Sequence, residues 1–274
     1  MPDSQLTVSD LFIYPIKSVQ AIGLEKAEVE QRGFTHDRRW MLIDENGLFL
    51  SQRKHPAMAL IHCQLSDSSV NDNKITVSAP GCQPLFINTP NASAPQVTGS
   101  VWGDDCLALD AGEQASDWFS HYIGIKCRLI YMPESTQRQV DRRFSQQGDI
   151  TGFADGFPFL LTTEASLNEL NNRLDQSVSM LNFRPNIVIR GAEAYAEDQW
   201  RRIRVGEVTF KVAKPCSRCV MTTVDPQTGR KMGKDPLATL AQYRKTEHGV
   251  IFGQNLIQEN NGFIQLGDKV EILE

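Results

Sequence analysis

Residues 214–230, "KPCSRCVMTTVDPQTGR", hold the side chains best suited to chemistry. Cys216 and Cys219 stand three apart, with Ser217 and Arg218 between them and Lys214 and Pro215 just before. Such a pair serves as a zinc half-site, a redox dithiol, one reactive thiolate beside an inert neighbour, or two structural thiols. A structural zinc takes four ligands, yet there is no second C-x-x-C, and His248 is the one histidine downstream. A thioredoxin-like dithiol needs a helix starting at its first cysteine. Here "VMTTVDP" follows, β-branched and ending in a turn signal, so no helix is expected. In extended backbone three residues span roughly 10 Å, beyond the ~7 Å between Cα atoms that a disulfide tolerates. A tight turn would restore the pairing. Lys214 and Arg218 favour a thiolate, or an anion beside it. A soft thiolate in a polar, cationic loop suits a soft or high-valent metal centre that carries a negatively charged organic group. The residues alone take the argument no further.

The other four cysteines, Cys63, Cys82, Cys106 and Cys127, lie singly among apolar or turn residues and read as reduced, buried thiols. The chain has 274 residues, 41% hydrophobic and 22% charged, enough for a core without disulfide staples. A net charge of −5 gives no general reason to bind nucleic acid or an acidic membrane surface, and neither is expected as a partner. No apolar run approaches a membrane span, and "MPDSQLTVSD" lacks the order of a signal peptide, so a cytoplasmic location is expected.

The elements that must position the pair read as mainly β with a few helices, an α+β chain. Up to about residue 125, short runs dominate. "LFIYPIKSV" is apolar and aromatic-rich, "RRWMLIDENGLFLSQR" predicts two strands around Asn46-Gly47, and "KITVSAPGCQPLFINTP" continues in short strands. This pattern suggests a small barrel or sandwich. "ASDWFSHYIGI" predicts a helix presenting Trp118, Phe119, Tyr122 and Ile123. Residues 134–152 are polar and turn-rich and predict a loop near a domain boundary. Further on, "TEASLNELNNRLDQ" spaces Leu167, Leu170 and Leu174 as a helix, "NIVI" predicts a buried strand, and "WRRIRVGEVTFKVAKP" a hairpin turning at Gly206. Asp235-Pro236 predicts a helix start with Asp as cap and Pro first, and "NGFIQLGDKVEIL" a closing hairpin around Gly267-Asp268. Two domains are expected, 1–125 and 126–274.

Eight stretches give the sequence a family resemblance. They are "YPIKS" (14–18), "DRRWMLID" (37–44), "FADGFPFLLTTEASL" (153–167), "NFRPNIVI" (182–189), "YAEDQW" (195–200), "VAKPCSRCVMTTVDPQTG" (212–229), "DPLATL" (235–240) and "FGQNL" (252–256). In this order, nearly end to end, they resemble the proteins that join a MOSC N-terminal β-barrel domain to a MOSC domain. That group includes the bacterial YcbX-like proteins and the mitochondrial amidoxime-reducing component. The resemblance implies an N-terminal β-barrel-like domain followed by a MOSC β-barrel, and binding of the molybdenum cofactor. It implies that Cys219 is the protein ligand to molybdenum and the catalytic centre, with Cys216 a supporting neighbour. The pterin and phosphate contacts of the family fall on Lys17, Ser18, Arg38, Arg184, Asn186, Ser217 and Arg218. Those types suit the task, since Arg forks and Lys charges bind phosphate and amides meet a pterin edge.

The activity implied is reduction of N-hydroxylated compounds, namely hydroxylamines, amidoximes or N-hydroxylated bases. Some bacterial relatives carry a C-terminal ferredoxin-like iron–sulfur domain. This sequence stops at "VEILE" without further cysteines. A separate flavin or iron–sulfur protein is therefore expected to donate electrons, unless the sequence is a piece of a longer chain. The alternative reading is a cofactor carrier or sulfur-transfer module with Cys219 as the loaded residue. The "RRIR" run at 201–204 reads as an exposed strand face rather than a partner site, and Asp155 and Asp225 receive no role.

Overall fold

The computed structural model describes residues 5–66 and 74–274. Seven strands close into a barrel. Thr7–Ile13 pairs antiparallel with Ile187–Arg190, which runs parallel to Phe159–Thr163. Gly249–Gln258, Val208–Ser217, Arg202–Val205 and Val270–Ile272 follow in turn, each antiparallel to the last. An antiparallel bridge between Thr7 and Lys269 closes the ring, with Val270 N–H donating to Leu6 O at 2.9 Å and Val8 N–H to Asp268 O at 3.0 Å. Alternation then turns Val8, Leu161, Ile189, Ile203, Val205, Phe210 and Leu256 into one buried cluster. Phe159 sits edge-on to both Phe34 and Phe210, with ring centroids 4.9 and 5.2 Å away.

The other half is a four-stranded antiparallel sheet (Trp40–Ile43, Arg128–Tyr131, Asp104–Asp110, Gln96–Val101) and a three-stranded sheet (His62–Leu65, Lys74–Ala79, Cys82–Asn88). The helix Glu113–Ile123 seals it with Ala115 and Phe119, while Trp118, Tyr122 and Ile123 lie only partly buried against the same core. The chain is thus mainly β with three α-helices among the described residues, as the sequence predicts.

The expected division at residues 125 and 126 does not follow the sheets. Thr7–Ile13 and Lys26–Glu30 pair with strands of the C-terminal half, and Arg128–Tyr131 pairs with the N-terminal one. The chain enters the barrel first, then crosses at residues 14–18, where Lys17 N–H donates to Trp40 O (2.8 Å) and Trp40 N–H to Pro15 O (3.0 Å). This crossing sets the "YPIKS" segment on the seam between halves.

Several local expectations need correction. The Asn46-Gly47 turn forms, but its second arm is reduced to bridges at Leu48 and Phe49. The helix from Glu164 stops at Asn171, short of Leu174, which instead packs partly buried on the small cluster around Phe183 and Phe252. The turn at Gly267-Asp268 exists, yet its arms separate: Gly262–Gln265 pairs with Lys26–Glu30, and Val270–Ile272 with Arg202–Val205. Residues 138–139 and 150–151 form a two-residue ladder inside the predicted loop. The third α-helix is Leu237–Tyr243, with Pro236 just outside it and Asp235 Oδ1 accepting from Thr239 N–H at 3.0 Å. Cys63, Cys106 and Cys127 are buried, burial pushing the Cys63 thiol up to about 12, whereas Cys82 is only half-buried.

Candidate functional site

A cleft opens on the seam, lined among others by Lys17, Ser18, Arg38, Arg184, Asn186 and Arg218. Six of the eight residues singled out in the sequence therefore meet, from segments as far apart as 14–18 and 216–219. Ser217 and Cys219 line an adjoining cleft that shares Cys216, Arg218, Met221 and Asp155 with the first. The backbone is held against its preferences here. Of six non-glycine residues with positive φ among those described, Ser18 (64°), Arg38 (47°) and Arg184 (57°) are three. Each such conformation costs about 1–3 kcal/mol, and strain of this kind gathers at functional sites.

Tyr14 organises two of the cations. The guanidinium carbons of Arg38 and Arg184 lie 4.2 and 4.1 Å from its ring centre, and its hydroxyl donates to Pro185 O at 3.1 Å. Burial pushes the Tyr14 phenol up to about 12, so it stays neutral. Arg38 also donates to Asp37 Oδ2 (2.5 Å) and Asn186 Oδ1 (3.0 Å). Gly152 lets its own segment pass close to the Arg38 backbone, where Phe153 N–H donates to Arg38 O at 2.7 Å, because a Cβ at 152 would stand 2.7 Å from that oxygen. Arg184 donates to Val19 O at 2.8 Å, and burial, with the Arg38 charge beside it, holds it down to about 10. Asn186 is a strut: its Oδ1 accepts from Arg38 and from Leu160 N–H, and its Nδ2 donates to Phe12 O at 3.1 Å. Its side-chain oxygen is already shared by two donors, which leaves one amide hydrogen for any pterin edge.

Lys17 is 5% exposed, and burial brings its ammonium down to about 8, with Arg138 and Arg38 adding to the effect. It donates to Phe153 O at 2.8 Å and to Asp155 Oδ1 at 2.5 Å. Burial would raise Asp155, but the Lys17 charge and hydrogen bonds from Lys17 and Trp102 overcome it and hold the acid below the usual carboxylate range. The side chain of Asp155 still presents 57% of its surface to the cleft.

Cys219 is exposed and extended, and one 3₁₀ turn, Val220–Thr223, follows it where no helix was expected. That turn arises because Cys219 O accepts from Thr222 N–H (3.1 Å) and Thr222 Oγ1 (3.0 Å). Of the two expected cations, Arg218 meets a sulfur, that of Cys216, whereas Lys214 turns to an aromatic ring. Arg218 donates to Cys216 Sγ at 2.9 Å and to Phe183 O at 2.6 Å, and the Lys214 ammonium lies 4.9 Å from the Phe144 ring centre. Ser217 Oγ donates to His248 O at 2.6 Å. Both thiols are free, and no cluster of three His, Cys, Asp or Glu able to hold a metal occurs among the described residues.

Asp155, named in the sequence without a role, is a site residue, and so is Arg53, which the sequence does not single out. Arg53 lies 3.8 Å from Asp155 Oδ2 and over the Trp102 ring at 4.4 Å, and its Nε is buried without a partner. The sequence signal was slight, a lone Arg after a hairpin. Asp225 is a turn residue, accepting from Gln227 N–H and Thr228 Oγ1. In the 201–204 run, Arg202 pairs with Glu259 and Arg204 with Glu271, as an exposed strand face should.

Five cations (Lys17, Arg38, Arg53, Arg184 and Arg218) thus line one cleft, with Asp155 the carboxylate among them. Two buried guanidinium N–H groups there, Arg53 Nε and Arg218 Nε, lack partners. This excess of buried donors fits an anionic ligand such as a phosphate-bearing pterin, and the exposed sulfur beside it fits a metal carried by that ligand.

Residues 5–126 match the MOSC N-terminal beta barrel domain and residues 148–271 the MOSC domain. The chain belongs to the MOSC family that includes the mitochondrial amidoxime-reducing components. It is 38% identical over 285 residues to mitochondrial amidoxime-reducing component 1 of Mus musculus, covering 97% of this chain and 82% of that one. For the Homo sapiens protein of the same name the identity is 35%, covering 97% and 83%. For the Xenopus laevis protein it is 34%, covering 96% and 81%. These names overturn the expected cytoplasmic location, because they place the relatives in mitochondria. No helix among the described residues is long and apolar enough to cross a membrane.

Proposed function

We propose that the chain is a molybdenum-cofactor-dependent reductase of N-hydroxylated compounds, supplied with electrons by a separate flavin or iron–sulfur protein. The observation that carries this reading is the juxtaposition of the exposed Cys219 with a cleft of five cations, in a chain that matches amidoxime-reducing relatives almost end to end. The reaction removes oxygen from an N–OH group, consumes two electrons and two protons, and releases amine or amidine and water. When bound, the cofactor supplies oxygen abstraction and two-electron exchange.

The chain's own residues do the rest. Cys219 Sγ, free and exposed, would hold the metal. Arg38, Arg53, Arg184 and Arg218 neutralise the cofactor's anionic tail, each charge-assisted hydrogen bond contributing ~1.5–3 kcal/mol. Lys17 Nζ holds a proton against Asp155 Oδ1, at an acidity close to neutral and open to the cleft through the carboxylate. The test is to purify the protein from a cofactor-producing host, measure molybdenum, and follow reduction of benzamidoxime with an artificial donor. Bound metal with turnover is expected. Bound metal without turnover would overturn the reductase reading in favour of a carrier, and sulfane sulfur without metal in favour of sulfur transfer.

A further inference from the structure

A two-residue turn joins strands Gln96–Val101 and Asp104–Asp110, with Trp102 at φ 55° and Gly103 at φ 93°. Asn-Gly is the usual choice for such a turn, since both positions need positive φ. A tryptophan there is sterically disfavoured, and it shares this conformation with Ser18, Arg38 and Arg184 of the cleft. The turn belongs to the N-terminal half, yet Trp102 reaches across the seam: its indole N–H donates to Asp155 Oδ1 at 3.1 Å. Arg53 stacks on the ring at 4.4 Å and Phe49 meets it edge-on at 5.2 Å. With these supports the ring is fixed, but 57% of it remains exposed. It lines the cleft of Cys219 together with the half-buried Phe157.

Resting on the reductase reading above, we infer that Trp102 is the residue that selects substrate. Its indole gives the Cys219 cleft a rigid stacking wall that favours flat, aromatic N-hydroxylated compounds over aliphatic ones. The N–H is committed to Asp155 and one face of the ring to Arg53, which fixes the ring plane and leaves the opposite face for a planar ligand. Stacking of a planar ring on an aromatic side chain is sequence-tolerant chemistry that needs no further polar partner.

The experiment compares benzamidoxime with acetamidoxime in the holoenzyme and in Trp102→Ala and Trp102→Phe. In Trp102→Ala the ratio of kcat/KM for benzamidoxime over that for acetamidoxime should fall about tenfold, chiefly through KM. Trp102→Phe, which keeps a ring and loses the N–H, should retain most of the ratio. An equal loss for both substrates in both variants would mean that Trp102 only holds Asp155 and Arg53, and would overturn the inference. Calorimetric binding of benzamidoxime gives a readout independent of turnover. If the parent protein binds benzamidoxime, Trp102→Ala binds it about tenfold more weakly and neither reduces it, the reductase reading fails while the stacking wall stands. Equal binding by parent and variant would sink the stacking wall.

Discussion

Replacing Lys17 by Met removes a buried ammonium while keeping an unbranched chain, and the consequence is a change in how stability depends on pH. The ordinary lysine value is 10.5, and burial brings Lys17 down to about 8 in the folded protein. Between those values the unfolded chain holds a proton that the folded chain has released. Stability therefore rises with pH across that window, and is flat in this respect below and above it. At ~1.36 kcal/mol per pH unit, the interval amounts to about 3 kcal/mol. Asp155 titrates far below this window, so its contribution is constant there. Urea unfolding at pH 7.5, 8.5, 9.5 and 10.5 measures the effect, on protein from a host that makes no molybdenum cofactor so that no bound anion supports the ammonium. The unaltered protein should gain about 3 kcal/mol over Lys17→Met between the first and last points. Parallel curves would refute the reasoning, because they would place Lys17 in contact with water and leave the Asp155 pair a surface interaction.

Two other changes have outcomes set by the same packing. Gly253 has φ 77°, and a Cβ there would lie 2.5 Å from Leu161 O, so Gly253→Ala should lose about 2–4 kcal/mol in the same urea assay; a loss under about 0.5 kcal/mol would show that the neighbouring strand gives way easily. Arg184→Ala should lower molybdenum retention in a graded way, weakening it by roughly ten- to a hundredfold, and unchanged metal content would confine Arg184 to its stacking on Tyr14.

Local pattern made much of this legible. The hairpin at Gly206, the buried strand Ile187–Arg190 and the helix at Glu113–Ile123 each rest on alternation or spacing within a dozen residues, and each forms. The closure of the barrel does not, because Thr7 and Lys269 meet across the whole chain and nothing local marks either as a partner. The Gly267-Asp268 turn shows the same limit: its chemistry is readable, but one arm joins Arg202–Val205 and the other joins Lys26–Glu30, more than two hundred residues away. In the site, the family resemblance implied which residues form an anion-binding cleft, and Lys17, Ser18, Arg38, Arg184, Asn186 and Arg218 do converge. Partnership was hidden. That Arg218 turns to Cys216, that Asp155 holds Lys17, and that Trp102 reaches over from a turn are facts of side-chain geometry.

The most direct test is molybdenum content and benzamidoxime turnover, measured side by side in Cys219→Ala and Cys216→Ala. Cys219→Ala should abolish turnover and release the metal, while Cys216→Ala, which only frees the Arg218 guanidinium from a thiol, should keep most of both. The reverse pattern, or two variants that behave alike, would contradict the assignment of the exposed sulfur as the one that holds the metal.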